Sequence, residues 1–290
     1  VAALSPHFCR KELTMMTTRL PMNAPTTRTH RFLPLALWRD AWRADAVLMT
    51  FAALLFALLV PMAFGLAFDE RTLRGVNVWL KPMKFALSLG VLAWTTAYFS
   101  ALVQPERRRA LALVRWALIG AATFEIAYIT LQAALGQASH YNVGTPLRVA
   151  LYQLMGLGAL MLTGSQALLA WLVARHARPG VAPAFRLAAV FGLAMAFVFG
   201  TAAGIPLSMV QPPDASALPL FGWHLRGDLR PAHFVGLHAE QLLPLLAAWA
   251  VARHETRSRA IVIGASVAWA LLFAALMVLG LSGARLAPGY

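Results

Sequence analysis

The hydrophobic positions along this chain neither alternate nor mark one side of a helix; they run on without a break. Seven stretches, about 46–67, 82–103, 112–134, 149–174, 187–209, 232–252 and 260–283, are almost continuously apolar. Each is near or above the roughly 18 residues that a helix needs to cross the hydrocarbon core of a bilayer. Continuous runs favour helices, which satisfy their backbone hydrogen bonds within each segment, over barrel strands, whose apolar positions alternate. The pattern predicts an all-α polytopic membrane protein with seven transmembrane helices in one domain over 46–284. Residues 1–45 stand apart as a basic N-terminal tail, disordered or interfacial, with the interfacial part at 32–45, and 285–290 form a short C-terminal tail.

Composition supports this reading and charge orients it. The 290 residues are 60% hydrophobic and 12% charged, about half the charged share of a soluble domain. A net charge of +14 would suit a nucleic-acid partner, but its distribution points elsewhere. Arg10, Lys11, Arg19, Arg28, Arg31, Arg39 and Arg43 precede the first span. Arg107–Arg109, then Arg175, Arg178 and Arg186, then Arg253, Arg257 and Arg259 fall in loops that share its side if there are seven crossings. The opposite side has fewer basic residues: Arg71, Arg74, Arg148, Arg226, Arg230 and Arg285, with Lys81 and Lys84 at a helix start. The positive-inside rule therefore places the N-terminus in the cytoplasm and the C-terminus outside. The basic loops meet anionic headgroups, so the partner is the lipid bilayer and not nucleic acid. Compact loops and this bias suggest a bacterial inner (cytoplasmic) membrane. The tail has no apolar run long enough for a cleavable signal peptide, and Met15, Met16 and Met22 are candidate starts. The one cysteine, Cys9 in the tail, excludes an intramolecular disulfide, a cysteine cluster and most cysteine catalysis.

Chemistry, if there is any, resides in polar residues inside the apolar runs. The first run, with Pro61 as a kink, and the last read as scaffold. "GTAAG" at Gly200–Gly204 is a small-xxx-small face for close helix approach. In "FEIAYITLQAALGQASHYN", Glu125 falls near mid-membrane, where an ionised carboxylate is costly unless paired, protonated or hydrated. Glu125, Tyr128 and Gln132 form one helical stripe directed toward the outer surface. Ser139, His140, Tyr141 and Asn142 follow at the helix end, and Tyr152 and Gln153 open the next run near the same level. Lys84, one turn deeper than Lys81, either snorkels or neutralises Glu125.

The stretch "GDLRPAHFVGLHAEQLLPLL" carries His233, His238, Glu240 and Gln241 on an apolar helix. At a helical period His238 and Gln241 share a face, His233 and Glu240 share another, and the two histidines point roughly 140° apart. They are not an i, i+4 chelating pair. These residues suggest a polar His/Glu site in the outer half of the bundle. Lys84, Glu125, Tyr128, Gln132, Gln153, Glu240 and Gln241 are candidates for ligand binding or proton handling. His140 and His238 are candidate ligands for haem or a divalent transition metal, with His233 and Glu125 secondary. Redox or hydrolytic chemistry is one reading. A proton-coupled transporter, or a protein that binds a small molecule or lipid, is the second. A non-catalytic sensing or assembly protein is the third.

Seven spans, a cytoplasmic N-terminus and histidines near helix ends broadly resemble the progestin–adiponectin receptors and ceramidase-type membrane hydrolases. Those families carry an HxxxH pair with Ser and Asp positions, whereas His233 and His238 are five apart and no matching set is evident. The resemblance is one of topology and transfers no residue role.

Overall fold

The computed structural model of the protein describes residues 33–211, 213 and 223–286. Most of the tail expected to be disordered, with His7, Cys9 and His30, lies outside the described residues, as do part of the loop after Gln211 and residues 287–290.

Long helices dominate, as the apolar runs require. A short helix, α1 (Leu33–Ala44), is followed by α2 (Ala46–Ala57) and α3 (Leu59–Phe68), which continue one another across a break at Leu58. The break falls one turn before Pro61, whose ring removes a helical hydrogen bond. A two-stranded hairpin, β1 (Thr72–Leu73) with β2 (Val76–Asn77), turns the chain into α4 (Leu80–Ser100). Then come α5 (Arg108–Ala134), α6 (Pro146–His176), α7 (Pro183–Met209), α8 (Arg230–Arg253) and α9 (Ser258–Leu281). The short strands β3 (Val210–Gln211) and β4 (Arg285–Leu286) pair antiparallel after α7 and α9.

The bundle has two ends. At the arginine-rich end, Gln104 N–H donates to His176 O at 2.9 Å and Arg178 N–H to Leu102 O at 2.7 Å, joining the ends of α4 and α6. At the other end, here the hairpin end, Arg71 reaches the carbonyl of Ala134 at the end of α5 (3.0 Å). α5 runs from the arginine-rich end to the hairpin end, antiparallel to α4.

Six helical stretches are long and apolar enough to cross a membrane: Ala46–Phe68, Pro105–Ala134, Pro146–His176, Pro183–Met209, Arg230–Arg253 and Glu255–Leu281. Six is one fewer than the sequence pattern leads one to expect, and α4 is the exception. Its sequence holds Lys81, Lys84, Thr95, Thr96 and Ser100. The physical reason is position. α4 is enclosed by α1, α2, α3, α5 and α6, and Ala86, Ala93, Thr96 and Ala97 are buried in the protein. A helix shielded from lipid can carry polar groups on its protein-facing surface.

α1 closes the arginine-rich end of this half. Trp38 packs edge-on against Trp94 of α4, with ring centroids 5.3 Å apart. Asp45 then caps α2 by accepting from Leu48 N–H (3.1 Å) and pairs with Arg115 of α5 (2.8 Å). In the other half α7 and α8 meet backbone to backbone. A Cβ on Gly192 would lie 2.7 Å from Glu240 Cα, and one on Gly236 3.0 Å from the carbonyl carbon of Phe199. Glycine at these positions is what allows the close approach.

Candidate functional site

Three groups of polar side chains lie inside this frame. The first is at the hairpin end. The Lys81 ammonium, in the first turn of α4, donates to Ser139 Oγ (2.8 Å) and to His140 Nδ1 (3.0 Å). The His140 ring stands edge-on to Phe85 and tilted against Tyr152, with centroids at 6.2 and 5.7 Å. Tyr141, in a left-handed backbone conformation (φ 57°), donates its hydroxyl to the carbonyls of Leu207 and Val210. Tyr152 donates to Ser208 O at 2.7 Å. Helix ends leave carbonyls without intrahelical partners, so both tyrosines cap the C-terminus of α7.

The second group is the α5 stripe. Glu125, Tyr128 and Gln132 are all buried, as their spacing implies. Gly158 of α6 leaves the space that the Glu125 carboxyl occupies; a Cβ there would lie 3.1 Å from Glu125 Oε1. None of the ion pairs among the described residues includes Glu125. The sequence left Lys84 either to snorkel or to neutralise Glu125, and no ion pair joins the two among the described residues. Lys84 instead lies over the Trp223 ring, 5.7 Å from its centroid. Tyr128 Oη and Gln132 Oε1 are enclosed without a hydrogen-bond partner among the described residues.

The third group sits where α8 faces α4. His238 Nδ1 lies 3.1 Å from Gln241 Oε1, so these two do share a face. Gln241 Nε2 donates to Glu240 Oε1 (2.8 Å) and to Thr95 Oγ1 of α4 (3.3 Å). Glu240 Oε2 is enclosed with no partner among the described residues. His233, on the other face, meets the carbonyl of Gly200 at 3.0 Å. His233 thus faces α7, while Gln241 reaches α4. Deeper still, Thr96 donates to Gln166 Oε1 of α6 (3.3 Å).

By rise along the helices, Glu125 lies about 14 Å from the hairpin end of α5 and Glu240 about 15 Å from that of α8. Both are therefore near the middle of a roughly 30 Å apolar core. Gln153, one residue past buried Tyr152, is exposed and belongs to none of the three groups. Thr95 and Ser139 contribute although the sequence did not single out their roles. A short polar residue on an apolar helix or in a loop carries no periodic signal of its own.

Hydrogen-bond partners fix the histidine tautomers. An ammonium can only donate, so His140 Nδ1 accepts and Nε2 carries the ring proton. His233 and His238 face carbonyl-type oxygens through Nδ1, so Nδ1 carries the proton and Nε2 keeps a lone pair. Burial holds the His140 imidazole well below its ordinary value of 6.5, and the neighbouring Lys81 charge acts in the same direction. At the rim, hydrogen bonds from the Arg71 guanidinium, then from the Trp79 indole, hold the Asp69 carboxyl well below the usual carboxylate range. Among the described residues no group of three or more His, Cys, Asp or Glu side chains is placed to hold a metal ion. No family model, curated protein or solved structure matches the chain. The largely helical fold with six long apolar helices is consistent with a multi-pass membrane protein in a lipid bilayer.

Proposed function

We propose that this is a seven-span protein of a bacterial inner membrane that couples protons to the binding or movement of a small polar molecule. In this reading α4 is the seventh crossing. The N-terminus is cytoplasmic, and the hairpin end faces outward. One observation carries the proposal: two mid-bundle carboxyls, Glu125 and Glu240, are buried, and neither is in an ion pair among the described residues. Scaffold helices have no need of such groups, because a charged acid in the bilayer is costly and a neutral one adds little packing. A group that alternates between the two forms suits a proton carrier. His238, with its free Nε2 lone pair, and Gln241 link Glu240 toward α4, while Tyr128 and Gln132 continue the Glu125 stripe toward the hairpin end. Infrared spectroscopy of the protein in lipid tests this directly. A carboxyl band that responds to pH and is lost in Glu125→Gln or Glu240→Gln supports it. A spectrum unchanged by both substitutions removes it.

A second reading keeps the metal or haem. It is favoured by the Nδ1–H tautomers of His233 and His238, since a ligating histidine donates its other ring nitrogen to a fixed acceptor. His140 fits this role less well, because Lys81 occupies Nδ1 and leaves the proton on Nε2. Oxidised and reduced visible spectra of protein purified without chelator, with metal analysis of the same sample, decide between the two.

A further inference from the structure

We propose that the arginine-rich end carries two matching sites for the headgroup of an anionic phospholipid, one built on Trp171, Arg175 and His176 and the other on Trp249, Arg253 and His254. Both lie outside the three polar groups described above, so the inference stands apart from proton handling. The C-terminal ends of α6 and α8 repeat one sequence. Residues 170–176 read AWLVARH and 248–254 read AWAVARH, differing only at Leu172 and Ala250. The side chains repeat one arrangement as well. Indole and imidazole meet edge-on in both, with ring centroids 5.2 Å apart for Trp171 and His176 and 5.4 Å for Trp249 and His254. Each arginine stands four residues after its tryptophan, on the same helical face. The three side chains thus form one patch at each helix end. A short helical turn ending in arginine adjoins each patch. Gln104 N–H donates to His176 O (2.9 Å) and leads into Pro105–Arg107. His254 leads into Glu255–Arg257, and Arg257 N–H donates to His254 O (2.9 Å). Each turn holds one exposed glutamate, Glu106 or Glu255, so each patch keeps an excess of positive charge.

Packing within the protein does not account for these side chains. The Trp171 and Trp249 indoles are 51% and 48% exposed. Arg175 and Arg253 are exposed too, and neither is in an ion pair among the described residues. Nearby arginines behave differently. Arg178 Nε donates to Val103 O (2.8 Å) and Arg186 Nε to Val173 O (3.2 Å), so these two hold the helix ends together. A cation near a helix C-terminus is favoured by the dipole. That explains an arginine, but not an outward indole set against a histidine in the same way twice. Tryptophan favours the level of the headgroups, and a guanidinium matches two oxygens of a phosphate. A phospholipid supplies a partner for each: its phosphate meets the arginine, and its glycerol and upper acyl chain lie along the indole, which the imidazole holds in place. An anionic headgroup also answers the excess positive charge of the patch. Inorganic phosphate would use the arginine and leave the indole without a role.

Native mass spectrometry of the full chain, released from mild detergent with phosphatidylglycerol or phosphatidylcholine added, tests the proposal. The expected result is retention of two phosphatidylglycerol molecules in preference to phosphatidylcholine. Arg175→Gln and Arg253→Gln should each weaken one of the two binding steps about fivefold, the worth of one basic residue near an anionic surface. The double variant should weaken both. Trp171→Ala and Trp249→Ala should act in the same direction, and each carries the test for its site if the arginine variant there does not fold. Arg108→Gln and Arg259→Gln are the controls. They remove the same charge from exposed positions at the same end, outside the repeated sequence, and should bind as the wild type does. Equal retention of phosphatidylcholine, equal losses in the controls, or Arg175→Gln and Arg253→Gln that bind as the wild type does would overturn the assignment. So would inorganic phosphate that displaces the lipid equally from the wild type and from both tryptophan variants, because that result identifies a site for a free anion.

Discussion

Gly236→Ala measures how closely α7 and α8 are joined, and that seam places Glu240, His238 and His233. The added Cβ would lie 2.9 Å from Phe199 Cβ, 3.0 Å from the Phe199 carbonyl carbon and 3.1 Å from Gly200 N. Ordinary carbon contacts are about 3.5–4.0 Å, so the helices must part by roughly 0.5–1 Å. Two of the three neighbours are backbone atoms, which cannot swing aside as a side-chain tip can. Overpacking of this kind destabilises by about 1–3 kcal/mol. Replacing a mid-helix glycine with alanine returns about 0.5–1 kcal/mol. The net expectation is a loss of about 1–2 kcal/mol, or a transition several degrees lower at roughly 2–4 °C per kcal/mol. Gly120→Ala is the control, because nothing lies within 4 Å of its added carbon. It should match or slightly exceed the wild type. Thermal unfolding in one detergent compares the three proteins. If Gly236→Ala is as stable as Gly120→Ala, the helices do not meet at Gly236 and the placement of the α8 side chains is wrong.

Other substitutions probe the remaining parts. Asp45→Ala removes the α2 cap, typically about 0.5–2 kcal/mol, and strips Arg115 of its partner, so a loss of about 2–4 kcal/mol is expected from denaturation; an effect below the cap alone would show that the ion pair contributes nothing. Gly158→Ala should leave folding nearly intact, since its close neighbour is the movable end of Glu125, but should shift the Glu125 infrared signal; an unshifted signal would place that carboxyl elsewhere. The Asp69 carboxyl is held below its usual range, so its contribution is present above the unfolded value and lost only as pH falls through the lower folded one. Asp69→Asn should therefore destabilise at neutral pH and match the wild type only in strong acid. His140 runs the other way: below 6.5 the unfolded chain binds a proton that the folded chain does not. Stability should fall as pH drops below 6.5, and His140→Gln should flatten that slope.

The helices were legible in the sequence because their signal is long and redundant. The run expected at 187–209 is the helix Pro183–Met209, and the run at 232–252 is Arg230–Arg253. Local spacing also showed which residues of α8 share a face. Partners across helices were not legible. The sequence favoured Lys84, one turn deeper, over Lys81 as the internal cation, but Lys81 turns to Ser139 and His140 while Lys84 lies over Trp223. That choice depends on where the loop after α5 folds back. Tyr152 looked like a site residue and caps α7; Gln153, its neighbour, turns outward. The Asp45–Arg115 pair joins positions in different elements, and neither residue stands out within its own segment.

Infrared spectra of the wild type, Glu125→Gln and Glu240→Gln, each reconstituted in lipid and titrated through neutral pH, bear most directly on proton handling by the buried acids. The expected result is a protonated-carboxyl band in the wild type that changes with pH and loses a separate component in each variant. A wild-type spectrum with no such band, or one that neither substitution alters, would mean that these carboxyls do not carry protons.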